Sequence, residues 1–148
     1  MSLASVPPTM PELVDAVSGL VHEPTQTEGA GLDLTVGAVH EPTGPGEVDF
    51  GGEELEPTGT TVLDPVRREP ADDYGWWELD AGVYLLGYNE RLDAGTPVRL
   101  EPRVELAERG AFHPTLSVTE LPRVPLVVPG VGLALKENAR VSTLHRRE

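Results

Sequence analysis

Apolar positions recur at helical spacing in one stretch of this chain. Leu13, Val14, Val17, Leu20 and Val21 fall at i, i+1, i+4, i+7 and i+8, one face of a helix. Thr9 followed three residues later by Glu12 reads as a capping box, and Pro11 is tolerated in the first turn. These signals predict a helix over residues 9–22, weakened by Gly19 and ended before Pro24. From Gly31 onward the period becomes two. Leu32-Asp33-Leu34-Thr35-Val36 alternates as a half-buried strand does. Further strand patterns cover Trp76–Leu79, Gly82–Tyr88, Val98–Leu106, Thr115–Leu121, Val124–Val128, Gly132–Leu135 and Arg140–Leu144. Short strands with close-set turn residues predict an all-β barrel or sandwich. Residues 42–73, rich in Pro, Gly and acids, read as a long loop with short edge strands. The pentapeptide VHEPT occurs at Val21–Thr25 and again at Val39–Thr43. That spacing is shorter than most repeat periods and the flanks differ, so it reads as coincidence.

Composition narrows the class. A chain of 148 residues with 39% hydrophobic content predicts a single domain, 1–148, with a true core. Sixteen glycines and fifteen prolines are too many for a helix bundle, and no G-X-Y period suggests collagen. The absence of cysteine excludes disulfides, Cys-ligated zinc and a Cys nucleophile. No apolar run approaches the ~20 residues of a membrane span, and the first residues lack the basic and apolar regions of a secretory signal. The expectation is a soluble cytoplasmic protein without a membrane partner.

Charge adds a further prior. The formal net charge is −14, Lys136 is the only lysine, and isoleucine is absent. An acidic, lysine-poor surface fits a halophilic protein kept soluble in a salt-rich cytoplasm, and it disfavours nucleic acid as a partner. Residues 1–80 carry a net −15 and residues 81–148 a net +1. The second half therefore holds the counter-charges for a small anion, although single strand-edge arginines more often serve turns and surfaces.

Most motif searches return nothing. There is no GxxxxGK[ST] phosphate loop, no GxSxG nucleophile elbow, and no HxH or HxxxH pair among His22, His40, His113 and His145. His113 reads first as a histidine bonded to backbone and second as an acid/base group. Asp72-Asp73 and Glu53-Glu54 read as solvated surface in so acidic a chain. Trp76 and Trp77, adjacent in a strand, must face opposite sides. One is expected in the core and the other at a subunit interface or ligand rim.

Four segments taken in order carry a family resemblance. They are Gln26–Val36 (QTEGAGLDLTV), Leu79–Leu86 (LDAGVYLL), Leu100–Leu106 (LEPRVEL) with Arg109-Gly110-Ala111, and Leu133–Leu144 (LALKENARVSTL). Together they resemble the dUTPase/dCTP deaminase superfamily, particularly its short archaeal members, over residues 10–145. The resemblance implies a distorted β-barrel of the β-clip type assembled as a homotrimer, with sites between subunits. It implies a pyrimidine deoxynucleoside triphosphate, dCTP or dUTP, as substrate. The chemistry would be dUTP hydrolysis with Mg²⁺ on the phosphates, or deamination of dCTP without zinc. Asp33, Arg103, Gly110 and Arg140 match motif positions, with Arg103 on the phosphate side, and Thr143 stands at the terminal glutamine. Asn138 replaces a turn glycine, a position asparagine tolerates.

The departures bear on catalysis. Val104 and Glu105 replace two serines, and valine cannot donate the orienting hydrogen bond. On a strand Arg103 and Glu105 would share a face and could pair. Glu108 stands where many members have arginine, one residue before Arg109. The hairpin that supplies the family's catalytic aspartate corresponds to Ser117–Pro125, which is shorter and offers only Glu120 as a general base. Two readings follow: an enzyme of pyrimidine deoxynucleotide metabolism, or a non-catalytic nucleotide-binding or structural homotrimer. The residues favour loss of the standard mechanism. A third reading is an unrelated acidic β-sandwich used in protein–protein contact.

Overall fold

The computed structural model describes residues 8–145. In chain order its elements are α1 (Met10–Ala16), β1 (Val17–Ser18), α2 (Glu23–Gln26), β2 (Leu32–Gly44), β3 (Gly59–Leu63), β4 (Trp76–Leu79) and β5 (Gly82–Tyr88). There follow β6 (Arg91–Leu92), β7 (Val98–Pro102), α3 (Val104–Ala107), β8 (Leu116–Val118), β9 (Val124–Val128), β10 (Leu133–Lys136) and β11 (Arg140–His145). The fold is mostly β with one short N-terminal helix.

The main sheet runs β8-β7-β11-β2-β5-β9, with β3 alongside β2 and every pairing antiparallel. β2 organises it. Its first residues pair with β11, its middle with β5 and its end with β3. Register shifts fall in β2 between Val36 and Ala38 and in β11 between Arg140 and Ser142. An extra residue on one strand bends that strand and raises its twist, so the sheet curls. It stays an open half-barrel: among the described residues no ladder joins the end strands β8 and β9, and a single bridge ties Phe112, ahead of β8, to Val127 of β9. A smaller ladder, β4 with β10, adds Trp77, Leu79 and Leu135 to the core. The core holds Leu34, Leu86, Leu100, Leu126 and Leu144, all fully buried.

The capping box forms as the spacing requires. Thr9 N–H donates to Glu12 Oε1 (2.8 Å) and Glu12 N–H to Thr9 Oγ1 (3.3 Å), which holds the Glu12 carboxyl below its ordinary range. The helix nevertheless ends at Ala16, not at residue 22. Val17 turns extended to pair with Leu92, and Gly19 follows at φ 83°. Leu20 and Val21 therefore lie on the connection to α2. Pro24 does not bound the first helix; it sits in the first turn of the second.

Three strand expectations are corrected. Leu32–Val36 is buried on both faces rather than half-buried, because Gln26 and Glu90 cover the side on which Thr35 stands. The strand predicted over Val98–Leu106 stops at Pro102, and the chain enters a helical turn at Val104. The strand predicted over Thr115–Leu121 shortens to Leu116–Val118. The stretch 42–73 is a loop with edge strands, as expected: β2 runs on to Gly44, β3 returns, and single bridges tie Glu47 to Glu56 and Val66 to Trp76. Trp77 is the core member of the tryptophan pair, its Nε1–H donating to Leu63 O at 2.9 Å. Trp76, half-buried, lies under the guanidinium of Arg68 (3.6 Å to the ring centre) with Lys136 at 5.6 Å. Among the described residues no helix is long and apolar enough to cross a membrane.

Candidate functional site

A cleft of about 310 Å³ opens where β2, β11 and the β7–α3 junction meet. Register places Asp33 of β2 opposite Thr143 of β11, and Thr143 Oγ1–H donates to Asp33 Oδ1 at 2.8 Å. The other carboxylate oxygen, Oδ2, takes Arg140 Nη1 at 3.1 Å and lies 3.6 Å from Arg103 Nε. Arg140 also meets Glu28 Oε2 at 3.0 Å, and Arg103 meets Glu105 Oε2 at 3.2 Å. His145 and Glu101, hydrogen-bonded across β11 and β7, complete one wall. Gly31 forms the close approach that lets β2 begin beside β11: a Cβ there would lie 2.5 Å from Leu144 O.

Asp33, Arg103, Arg140 and Thr143 thus come together, with Asp33 buried and the arginines partly so. Arg103 and Glu105 do pair, but as the N-cap and second residue of α3 rather than on a shared strand face. Val104 between them is exposed. The electrostatics are self-contained. Two guanidinium groups face Glu28, Asp33, Glu101 and Glu105, so an incoming anion must displace or share carboxylate partners.

Gly110 stands outside the cleft. At φ 81° it ends α3 in a Schellman motif: Ala111 N–H donates to Leu106 O and Gly110 N–H to Ala107 O, both at 3.0 Å. Its place against Pro129 is a chain-reversal role. Glu120 also stands apart, exposed on the β8–β9 connection. It lines two other clefts, one with Asp15, Arg91 and Asp93 and one with Tyr88 and Arg123. Asp72 binds Glu69 N–H and Glu53 is exposed, and among the described residues no group of three or more acids and histidines could hold a metal.

Sequence reasoning missed a buried polar network behind the site. Gln26, 1% exposed, uses its whole amide. Oε1 accepts from Val21 and His22 N–H (2.7 and 2.8 Å), and Nε2 donates to Asp33 O and Glu90 Oε2 (2.9 and 2.8 Å). Glu90 also accepts from Thr35 N–H (2.9 Å) and Thr35 Oγ1 (2.6 Å). Asn89 Nδ2 reaches Thr35 Oγ1 at 2.9 Å and Asn138 Oδ1 at 2.8 Å. Long-range pairs of this kind, 55 or 64 residues apart, leave no local pattern.

A second chain runs Tyr88–Ser142–His113. Pro114 O can only accept, so His113 Nδ1 carries the proton (2.8 Å) and Nε2 accepts from Ser142 Oγ–H (2.7 Å). Ser142 in turn accepts from Tyr88 O–H at 2.6 Å. Burial pushes the Tyr88 hydroxyl well above the phenol range and pushes His113 below the imidazole range, against the backbone bond that raises it. His113 is therefore the backbone-bonded histidine expected from the sequence. His40 is likewise lowered, first by burial and then by Arg123.

Comparison of the chain with models of known protein families and with curated proteins gave no match.

Proposed function

We propose that this chain is a dUTPase/dCTP deaminase-like protein of the β-clip kind that binds dCTP or dUTP between the subunits of a homotrimer. One observation carries the reading: Asp33, Arg103, Arg140 and Thr143, each assigned by its motif position, converge on one cleft from three separate elements. In this reading the guanidinium groups of Arg103 and Arg140 hold the phosphates. Mg²⁺ would arrive on those phosphates. Zinc has no part, and Gly110 serves the turn that carries Arg103's helix. A general base would have to be Glu120 of a neighbouring copy, since within one copy it lines other clefts. The test is incubation with dUTP or dCTP and Mg²⁺, following dUMP, diphosphate and ammonia, beside a melting scan with each nucleotide. Turnover abolished by Glu120→Gln supports the enzyme. A raised melting temperature without turnover supports a binding protein, because a ligand selective for the folded state stabilises it.

A second reading, a structural homotrimer without ligand, is favoured by the pairing of both arginines with Asp33, Glu28 and Glu105. Neither turnover nor a shift in melting with either nucleotide would select it.

A further inference from the structure

The connection between β2 and β3 is an ordered arm with an apolar tip. Gly44 pairs with Gly59 at its base, and Glu47 and Glu56 exchange both backbone bonds at 2.8 and 2.9 Å. At the tip Asp49 Oδ1 accepts from Gly52 N–H (2.9 Å) and Oδ2 from Glu54 N–H (3.0 Å). This frame holds Val48 (90% exposed) and Phe50 (108%) out in solvent, with Leu55 half-exposed beside them. Around them stand Glu47, Asp49, Glu53, Glu54 and Glu56, and no lysine or arginine occurs before Arg67. A fully exposed phenylalanine beside Val48 and Leu55 on a hydrogen-bonded hairpin forgoes the burial that would stabilise it, and such a cluster is a candidate interaction surface.

Elsewhere on the same chain is a complementary cleft of about 310 Å³. Its apolar wall includes Leu92, Leu121 and Pro122. Arg91 and Arg123 line it together with Tyr88, Glu120 and Glu90, the last already held by Gln26 and Thr35. Neither arginine makes an ion pair with a carboxylate among the described residues; Arg123 meets Thr60 Oγ1 at 3.4 Å and acts on His40. In its own chain the tip does not fill this cleft, since Phe50 is fully exposed.

We propose that the arm of one copy seats Phe50 in this cleft on a second copy, with Asp49, Glu53 and Glu54 meeting Arg91 and Arg123. Different patches meet in such a contact, so it closes a ring when the rotation allows. An apolar anchor surrounded by paired charges is the usual anatomy of a specific interface. The inference shares with the proposed function the expectation of self-association and the surface that carries Glu120, which lines this cleft.

Because the chain has no cysteine, engineered thiols report this contact alone. Mixing Phe50→Cys with Leu121→Cys protein under mild oxidation should give interchain disulfides, while Phe50→Cys alone should give none. By light scattering the wild type should have a multiple of 15.9 kDa. Phe50→Ser, at a site too exposed to affect folding, should raise the concentration for half-dissociation at least tenfold. Glu53→Lys with Glu54→Lys should do the same and be rescued by Arg91→Glu with Arg123→Glu. A monomer at all concentrations overturns the proposal, as does tip-to-tip crosslinking. An oligomer indifferent to Phe50→Ser removes the arm and leaves the homotrimer reading intact, and nucleotide binding, read by calorimetry, stands or falls separately.

Discussion

Asp33 is one carboxylate serving three side chains, Thr143 on one oxygen and the two arginines on the other. Asparagine in its place keeps the shape and an acceptor but leaves Arg103 and Arg140 without their shared counter-charge. Breaking such a part-buried group should cost about 2–3 kcal/mol. Urea unfolding of Asp33→Asn reads this directly, and a midpoint equal to wild type would mean the cluster is solvated. His113 offers a second residue-level test. It stays neutral in the fold because burial lowers its affinity for a proton, so the unfolded chain protonates first as pH falls. Its contribution is fully present above about 6.5, the ordinary imidazole value, and is lost as pH drops toward the folded value. Ser142, Tyr88 and Pro114 O surround it, and His40 shares the sign. The slope of stability should reach at most about 1.4 kcal/mol per pH unit per proton. His113→Gln should flatten the acid limb without removing it, checked by unfolding at a series of pH values. At this scale the three side chains that the resemblance singles out, Asp33, Arg103 and Arg140, do meet, and the sequence could nominate them because each lies in a short recognisable segment. Glu90 was not, since its donors come from residues 26 and 35 and nothing local marks it as buried.

At the scale of elements, the turn between β10 and β11 decides where Arg140 emerges. Asn138 takes φ 66° there and accepts from Asn89 Nδ2. Asn138→Ala should cost about 2 kcal/mol, roughly half from the left-handed backbone and half from the lost bond. Asn138→Gly relieves the first cost and should lie within about 1 kcal/mol of wild type. Denaturant midpoints of the two variants test the partition, and equal losses would remove the backbone from the explanation. The two VHEPT copies show why element boundaries were harder to read than element types. At Val21–Thr25 His22 caps a helical turn, its Nδ1 accepting from Thr25 N–H; at Val39–Thr43 the same five residues lie in β2, paired with β3. Local propensity is identical, so the ladder on offer decides. The same override shortens α1, where pairing of Val17 with Leu92 wins over a helical face that the spacing supports.

Across the whole molecule the distribution of charge is the feature most plainly written in the sequence, and it leads to a measurable cost. The net charge is −14, and the first eighty residues alone carry −15. Folding brings those carboxylates closer than they stand in the open chain, so self-repulsion opposes the compact state. Screening relieves this: the Debye length shrinks from about 10 Å at 0.1 M salt to about 3 Å at 1 M. Melting temperature should therefore rise with KCl over that range, by about 5 °C for a gain of one to two kcal/mol. The ion pairs of Arg140 and Arg103 with Asp33 are part-buried and should lose little of that gain, whereas the exposed pair of Arg68 with Glu78 contributes little at any salt. Lysine substitutions at Glu53 and Glu54 bring the net charge from −14 to −10 without touching the core, so they should raise the low-salt melting temperature and flatten its dependence on KCl. If the arm docks on a second copy, the same pair of changes loosens the assembly while it steadies the single chain. Opposite movements of assembly and low-salt stability are an outcome that simple charge relief does not produce.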